Sequence, residues 1–171
     1  MLPTPPWYGR RYPRLEDLEA AAEALGVAVF VVPVPTAAAM LDAEAADPFL
    51  LIPSGRSGLE TSWLLAHELG HVMQHAGPRG ALLYDKDERA ADRWAACALI
   101  PEARILRHGN ASQDAFIAAL SAHYGPIPPT DNQDRELAGY IARIRLSALP
   151  QRPRVVRSAS ESGELLLPSP R

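Results

Sequence analysis

The stretch "LLAHELGHVMQH", Leu64 to His75, places two histidines four residues apart, with a glutamate directly after the first. On an α-helix of 3.6 residues per turn, His67 and His71 share one face, so their imidazole nitrogens can bind one ion. Glu68 lies about 100° further round the helix, where its carboxylate can reach a water molecule without being a ligand. The pattern H-E-x-x-H therefore predicts two zinc ligands and a general base, and the alternative is a solvated helix with polar residues.

The limits of this helix are also marked in the sequence. Ser57 with Glu60 three residues later forms a capping box, which predicts the start of the helix. Gly77-Pro78 predicts its end. Gly70 lies inside the helix, where a glycine costs roughly 1 kcal/mol relative to alanine. Since it has no Cβ, we expect it to let another segment approach closely.

A third ligand is predicted on the next helix, which covers about Asp85 to Ile100. Glu88 and Asp92 are four residues apart and therefore share a face. Glu88 can complete a catalytic zinc site that keeps its fourth position for water, and Asp92 can accept a hydrogen bond from the free nitrogen of His67. The alternative is an acidic helix start that complements the macrodipole. Three small residues favour close packing of the two helices: Ala91, Ala95 and Ala96.

The segment before the motif predicts a helix and two strands. Apolar spacing indicates a helix from Arg14 to Leu25, closed by Gly26. The β-branched run "VAVFVVPV" (residues 27–34) predicts a buried strand, and residues 35–46 a loop or short helix. "PFLLIPSG" (residues 48–55) predicts an edge strand, because prolines at both ends cannot donate to a central ladder.

One domain is expected to cover residues 1–149. Residues 1–13, rich in proline and aromatics, predict an extended arm, and residues 150–171 a flexible tail. The helical part at 102–149 is predicted to contain three helices: Glu102–His108, Ser112–Tyr124 and Asp131–Leu149.

Composition narrows the class of protein. Of the 171 residues, 47% are hydrophobic and 22% charged, as in ordinary soluble domains, and the net charge of −3 gives no reason to expect nucleic-acid binding. The single cysteine, Cys97, cannot form an internal disulfide, which allows a reducing compartment. The N-terminal residues lack the apolar core of a signal peptide, and no apolar run approaches the roughly 20 residues of a spanning helix. We therefore expect a cytoplasmic protein without a membrane partner.

The sequence H-E-L-G-H followed by E-x-x-A-D-x-x-A-x-x-L-I-P resembles the ImmA/IrrE family of bacterial metallopeptidases. The matching residues are His67, Glu68, Leu69, Gly70, His71, Glu88, Ala91, Asp92, Ala95, Leu99, Ile100 and Pro101.

The resemblance implies an α+β fold. Its expected form is a mostly helical, zincin-like metalloprotease core with a small sheet whose edge strand lies beside the active-site helix, followed by a C-terminal helical region. It also implies one Zn²⁺ per chain with a glutamate as third ligand, and a repressor-type transcription regulator, in a stress-response or mobile-element circuit, as protein substrate. Direct contact with nucleic acid is not expected, because no helix-turn-helix module is evident. The substrate is expected to pair in extended form with Phe49, Leu50, Leu51 and Ile52.

The chemistry expected of such a site is zinc-assisted peptide hydrolysis. Glu68 would take a proton from the attacking water and deliver it to the leaving amine, while zinc polarises the carbonyl. Tyr84, His123 and Tyr124 are possible donors to the oxyanion. Two alternatives remain open: a catalytically silent metal-binding regulator that binds its partner without cleaving it, and a general intracellular peptidase.

Overall fold

Helices dominate the structure, a computed structural model that describes residues 5–33, 40–42, 48–74, 84–101, 112–126 and 132–149. The described helices are α1 (Leu15–Ala24), α2 (Gly58–Gln74), α3 (Tyr84–Leu99), α4 (Gln113–Tyr124) and α5 (Asn132–Ser147). The described strands are β1 (Ala28–Val32), β2 (Met40–Asp42) and β3 (Phe49–Pro53). This architecture confirms the predicted α+β, mostly helical class.

The strand at residues 49–53 is central, so the prediction of an edge strand is wrong. The sheet order is β1-β3-β2, with β1 parallel and β2 antiparallel to β3. The prolines do not prevent this, because Pro48 precedes the strand and Pro53 is its last residue. Hydrogen bonds close the ladder at both ends, from Ala28 N to Pro48 O at 3.0 Å and from Ser54 N to Val32 O at 2.8 Å.

The strand predicted to be buried, β1, is instead largely exposed. Phe30 and Val31 keep 51% and 54% of their surface accessible, whereas Leu50 and Ile52 of β3 keep 1% each. Among the described strands β1 pairs with β3 alone, which places it at an edge of the sheet. The residue composition predicted both β1 and β3 as strands, but how far each strand is buried depends on its position in the sheet.

Residues 40–42 form β2 within the segment predicted to be a loop or short helix. The register pairs Met40 with Leu51 and Asp42 with Phe49. A three-residue strand of this kind is defined by its neighbour and carries no periodic signal of its own.

Helices α2 and α3 pack closely at Gly70, as the sequence predicted. A Cβ placed on Gly70 would lie 2.9 Å from both the Cα and the O of Ala91. Ala91, Ala95 and Ala96 are completely buried, so small side chains line the contact on α3. This contact brings the side chains at the N-terminal end of α3 beside those of α2.

The start of α2 is fixed by a cap and by polar contacts with α5. Ser57 Oγ accepts a hydrogen bond from Glu60 N at 3.1 Å, which confirms the predicted start. Ser57 Oγ donates in turn to Asp134 Oδ1 of α5 at 2.7 Å. Arg56 and Gln133 donate to Glu60 Oε1 at 2.9 and 3.3 Å. These contacts hold the first turn of α5 against the first turn of α2.

Residues 6–10 form turns, whereas an extended arm was predicted for residues 1–13. Tyr8 N donates to Pro5 O at 3.0 Å, with Pro6 at the second turn position, where its fixed φ is favourable. Arg10 N donates to Trp7 O at 3.0 Å across Gly9, whose φ is 71°. Trp7 is buried, and the ring of Tyr8 stacks on Trp94 of α3 at 5.1 Å. The turns therefore pack directly on the helical body.

The remaining predicted helices agree with the structure where it describes them. Helix α4 begins after Ser112, whose Oγ accepts a hydrogen bond from Ala115 N at 3.2 Å. The predicted end of α2 at Gly77-Pro78, the predicted helix at 102–108 and the predicted tail at 150–171 lie outside the described residues. No helix in the described ranges combines the length and apolar character required to cross a membrane.

Replacing Gly70 with alanine is expected to lower the free energy of unfolding by about 1–3 kcal/mol, because the new methyl group must push α3 away. Gly139→Ala is the matched control on α5. Its Cβ would meet only side-chain ends, Gln113 Nε2 at 3.3 Å and Arg143 Nη1 at 3.6 Å. Since alanine also has the higher helix propensity, the control should be neutral or stabilising. Chemical denaturation of both variants measures the difference, and equal losses would contradict the packing argument.

Candidate functional site

Three predicted ligand residues converge where α2 meets α3. The Nε2 atoms of His67 and His71 are 3.1 Å apart. Glu88 faces both rings, with Oε2 3.2 Å from His67 Nε2 and Oε1 3.3 Å from His71 Nε2. The structure thus brings together the two residues of the H-E-x-x-H pattern and the glutamate predicted on the next helix.

The distances among these atoms fit a metal ion. Ligand atoms at about 2.0–2.1 Å from a tetrahedral ion lie about 3.3 Å from one another, close to the separations found here. Imidazole nitrogens and a carboxylate oxygen are also ligand types that zinc accepts. Among the described residues, no other group of three or more His, Cys, Asp or Glu side chains is arranged so that it could hold an ion.

Asp92 fixes the ring of His67 from the opposite side. His67 Nδ1 lies 2.9 Å from Asp92 Oδ1, as predicted from the spacing on α3. When Nδ1–H donates to Asp92, the lone pair of Nε2 is directed at His71 and Glu88. This tautomer is the one that metal binding requires, because the ligand nitrogen must be unprotonated.

Tyr140 of α5 is a residue of the site that sequence reasoning missed. Its hydroxyl donates to Asp92 Oδ2, the oxygen that His67 does not use. The ring also packs edge-on against Trp63, with centroids 5.8 Å apart. Trp63 is itself 6.0 Å from the ring of His67. No local spacing indicates this contact, because it depends on how α5 packs against α2 and α3.

The electrostatics of the site favour positive charge at His67. Burial alone would lower the pKa of His67, but the hydrogen bond with Asp92 and the charges of Glu68, Asp92 and Glu88 outweigh it, and the pKa is raised. Burial would raise the pKa of Asp92, but its hydrogen bonds with His67 and Tyr140 lower it overall. Burial and the contact with Asp92 raise the pKa of Tyr140 to about 12. Near neutral pH, therefore, Asp92 is an ionised acceptor and Tyr140 a protonated donor.

Glu68, the predicted general base, follows His67 on α2 and is partly buried. Its charge is one of the causes of the raised pKa of His67. Helix α2 therefore carries a partly buried carboxylate next in sequence to His67, and its role as the general base stays a prediction.

The structure places two predicted oxyanion donors elsewhere. His123 Nε2 lies 3.3 Å from Pro13 O, and its ring stacks on Tyr12. The carbonyl oxygen of Tyr124 lies 2.6 Å from where a Cβ on Gly58 would be. Gly58 is nine residues before His67, about 13 Å along the helix axis. Both residues therefore lie near the other end of α2.

Two more predicted site elements are the oxyanion donor Tyr84 and the substrate strand at residues 49–52. The third possible donor, Tyr84, begins α3, but its side chain lies outside the described residues. The predicted substrate strand, Phe49 to Ile52, has neighbours on both sides, because residues 49–51 pair with β2 as well as with β1. In the described sheet, residues 49–51 therefore offer no free edge to a peptide, which does not fit the predicted role of a substrate-binding edge strand.

A comparison with known families agrees with this geometry. Residues 22–125 match the family model Peptidase_M78, described as the IrrE N-terminal-like domain. The matched range contains the three candidate ligands and ends before α5. No curated protein and no solved structure matches the chain. Because the family model covers more than half of its length, the chain belongs to the IrrE N-terminal-like peptidase family.

Proposed function

We propose that the protein is a zinc-dependent endopeptidase that hydrolyses a peptide bond in a specific protein substrate. The observation that carries the proposal is the convergence of His67, His71 and Glu88, with separations of 3.1–3.3 Å. Glu68, the proposed general base, follows His67 in the sequence. Membership of a peptidase family supports the reaction class. Zinc is the proposed ion because two imidazoles and one carboxylate are the protein ligands of many catalytic zinc sites.

The proposed mechanism assigns each residue a separate task. When bound, zinc would supply Lewis acidity that activates water and polarises the peptide carbonyl. Glu68 accepts a proton from the attacking water and returns it to the leaving amine. Asp92 keeps the Nδ1 proton of His67 in place, so that Nε2 remains available as a ligand. Glu88 adds the negative charge that the two neutral imidazoles lack.

The proposed substrate is a repressor-type transcription regulator, as the family resemblance implies. An active-site glutamate on a helix can act only on an extended segment that reaches the ligand cluster, so the cleaved region must be flexible or locally unfolded. The exposed ring of Tyr140, which packs edge-on against the buried Trp63 near His67, is a surface that such a segment would contact.

The first prediction from the proposed function concerns metal content. The purified full chain is expected to hold about one zinc ion per molecule. Glu88→Ala should lose the metal, because it removes one of three ligands, whereas Glu68→Gln should keep it. Elemental analysis after removal of excess zinc measures the stoichiometry. Wild-type protein without metal would contradict the proposal.

The second prediction concerns cleavage. Glu68→Gln should reduce the cleavage rate of a candidate repressor about 100-fold or more, since a neutral amide cannot accept the proton. The control is Glu23→Gln, an exposed position on α1, which should cleave at the wild-type rate. A wild-type protein that binds its partner without cutting it would support the catalytically silent regulator. Rapid cleavage of unstructured casein would support the general peptidase.

The third prediction concerns Asp92. Asp92→Ala is expected to weaken zinc binding about 10- to 100-fold, because His67 loses the group that orients its ring. Competition with a chromophoric chelator measures the affinity. Glu136→Ala, which removes an exposed carboxylate from α5, is the matched control and should bind zinc like wild type. Equal affinities of Asp92→Ala and wild type would contradict the assigned role.

A further inference from the structure

Tyr140 lies outside the residues that match the peptidase family, yet it contacts the site. We propose that it is a positioning residue of the metal centre, whose hydroxyl holds the Asp92 carboxylate in the orientation that directs His67 at the metal. This inference rests on the proposed function, because it assumes that His67 is a metal ligand. It adds α5 to the elements that build the site.

The geometry divides the two oxygens of Asp92 between two partners. Oδ1 accepts from His67 Nδ1 at 2.9 Å, and Oδ2 accepts from the hydroxyl of Tyr140. A carboxylate with a single partner can turn about its terminal torsion, which has a broad energy minimum. A second donor on the other oxygen removes that freedom. The orientation of His67 therefore depends on both contacts.

Helix α5 is held firmly enough to act in this way. Earlier in the helix than Tyr140, the buried Asp134 accepts a hydrogen bond of 2.7 Å from Ser57 Oγ, directly before α2. Later in the helix, Nε of the buried Arg145 donates a hydrogen bond of 2.8 Å to the carbonyl oxygen of Ile100, directly beyond the end of α3. Tyr140 lies between these two anchors, one to each neighbouring helix. Its hydroxyl is therefore positioned by polar contacts that do not involve the ligands.

A purely structural role explains the tyrosine less well. The residue is 39% exposed, while its neighbours Gly139 and Ile141 are buried, so Tyr140 belongs to the surface of α5 rather than its packed face. The contact with Trp63 requires only the ring. The hydroxyl, by contrast, has a defined partner in Asp92. Replacement by phenylalanine keeps the ring contact and removes the contact with Asp92.

The test compares zinc affinities of the full-length chain by competition with a chromophoric chelator. Tyr140→Phe should bind zinc about 3- to 10-fold more weakly than wild type, a smaller effect than loss of Asp92 itself. Tyr8→Phe is the matched control. It removes a hydroxyl that contacts Cys97 of α3, and it should leave the affinity unchanged. Tyr8 also lies outside the family match.

A double-mutant cycle separates positioning from general stability. In an Asp92→Ala background, Tyr140→Phe should cause no further loss of affinity, because the residue through which it acts is gone. The same fold-loss in both backgrounds, or an unchanged affinity in Tyr140→Phe alone, would overturn the inference while the proposed function stands. A wild-type chain that binds no zinc would overturn both.

If Asp92→Ala does not fold, the Co²⁺-loaded proteins give a second readout. The visible absorption of Co²⁺ reports the arrangement of its ligands, which a change in stability alone would not move. A spectrum of Tyr140→Phe that differs from wild type supports the inference, and identical spectra overturn it.

Discussion

The site depends on how closely α2 and α3 approach each other. At Gly70 the backbones are so near that a single Cβ would lie 2.9 Å from atoms of Ala91. His71 follows Gly70 directly, and Glu88 lies one turn before Ala91 on the other helix. A larger residue at either contact position would separate the helices and move Glu88 away from the imidazoles. The glycine that is unfavourable for an isolated helix is therefore required by the packing.

The convergence of like groups explains why an ion is expected. When both histidines present an unprotonated Nε2, the two nitrogens and the Glu88 oxygens that face them are all acceptors. The two nitrogens are 3.1 Å apart, and each lies 3.2–3.3 Å from one oxygen of Glu88. Partly buried acceptors in this arrangement repel each other unless a cation or a proton lies between them. The raised pKa of His67, in which burial is outweighed by Asp92, Glu68 and Glu88, expresses the same demand for positive charge.

Local spacing predicted the part of the site that helices define. The pairs His67–His71 and Glu88–Asp92, and the start of α2, follow from residues three or four positions apart. The structure brings the two pairs together in one place and confirms the start of α2. Two features that depend on packing between distant segments were predicted wrongly or missed. The prolines of "PFLLIP" suggested an edge strand, but at the ends of β3 they leave the ladder intact. Tyr140 could not be found because α5 reaches Asp92 only through tertiary contacts.

The most direct test of the central claim is X-ray absorption at the zinc edge of the loaded full-length protein. The account predicts nitrogen and oxygen neighbours at about 2.0–2.1 Å, with outer scattering from two imidazole rings and no sulfur. Glu88→Ala, which is expected to lose the zinc, should give no such ligand shell. A zinc environment without imidazole scattering, or one that contains sulfur from Cys97, would contradict the assignment of His67, His71 and Glu88 as the metal centre.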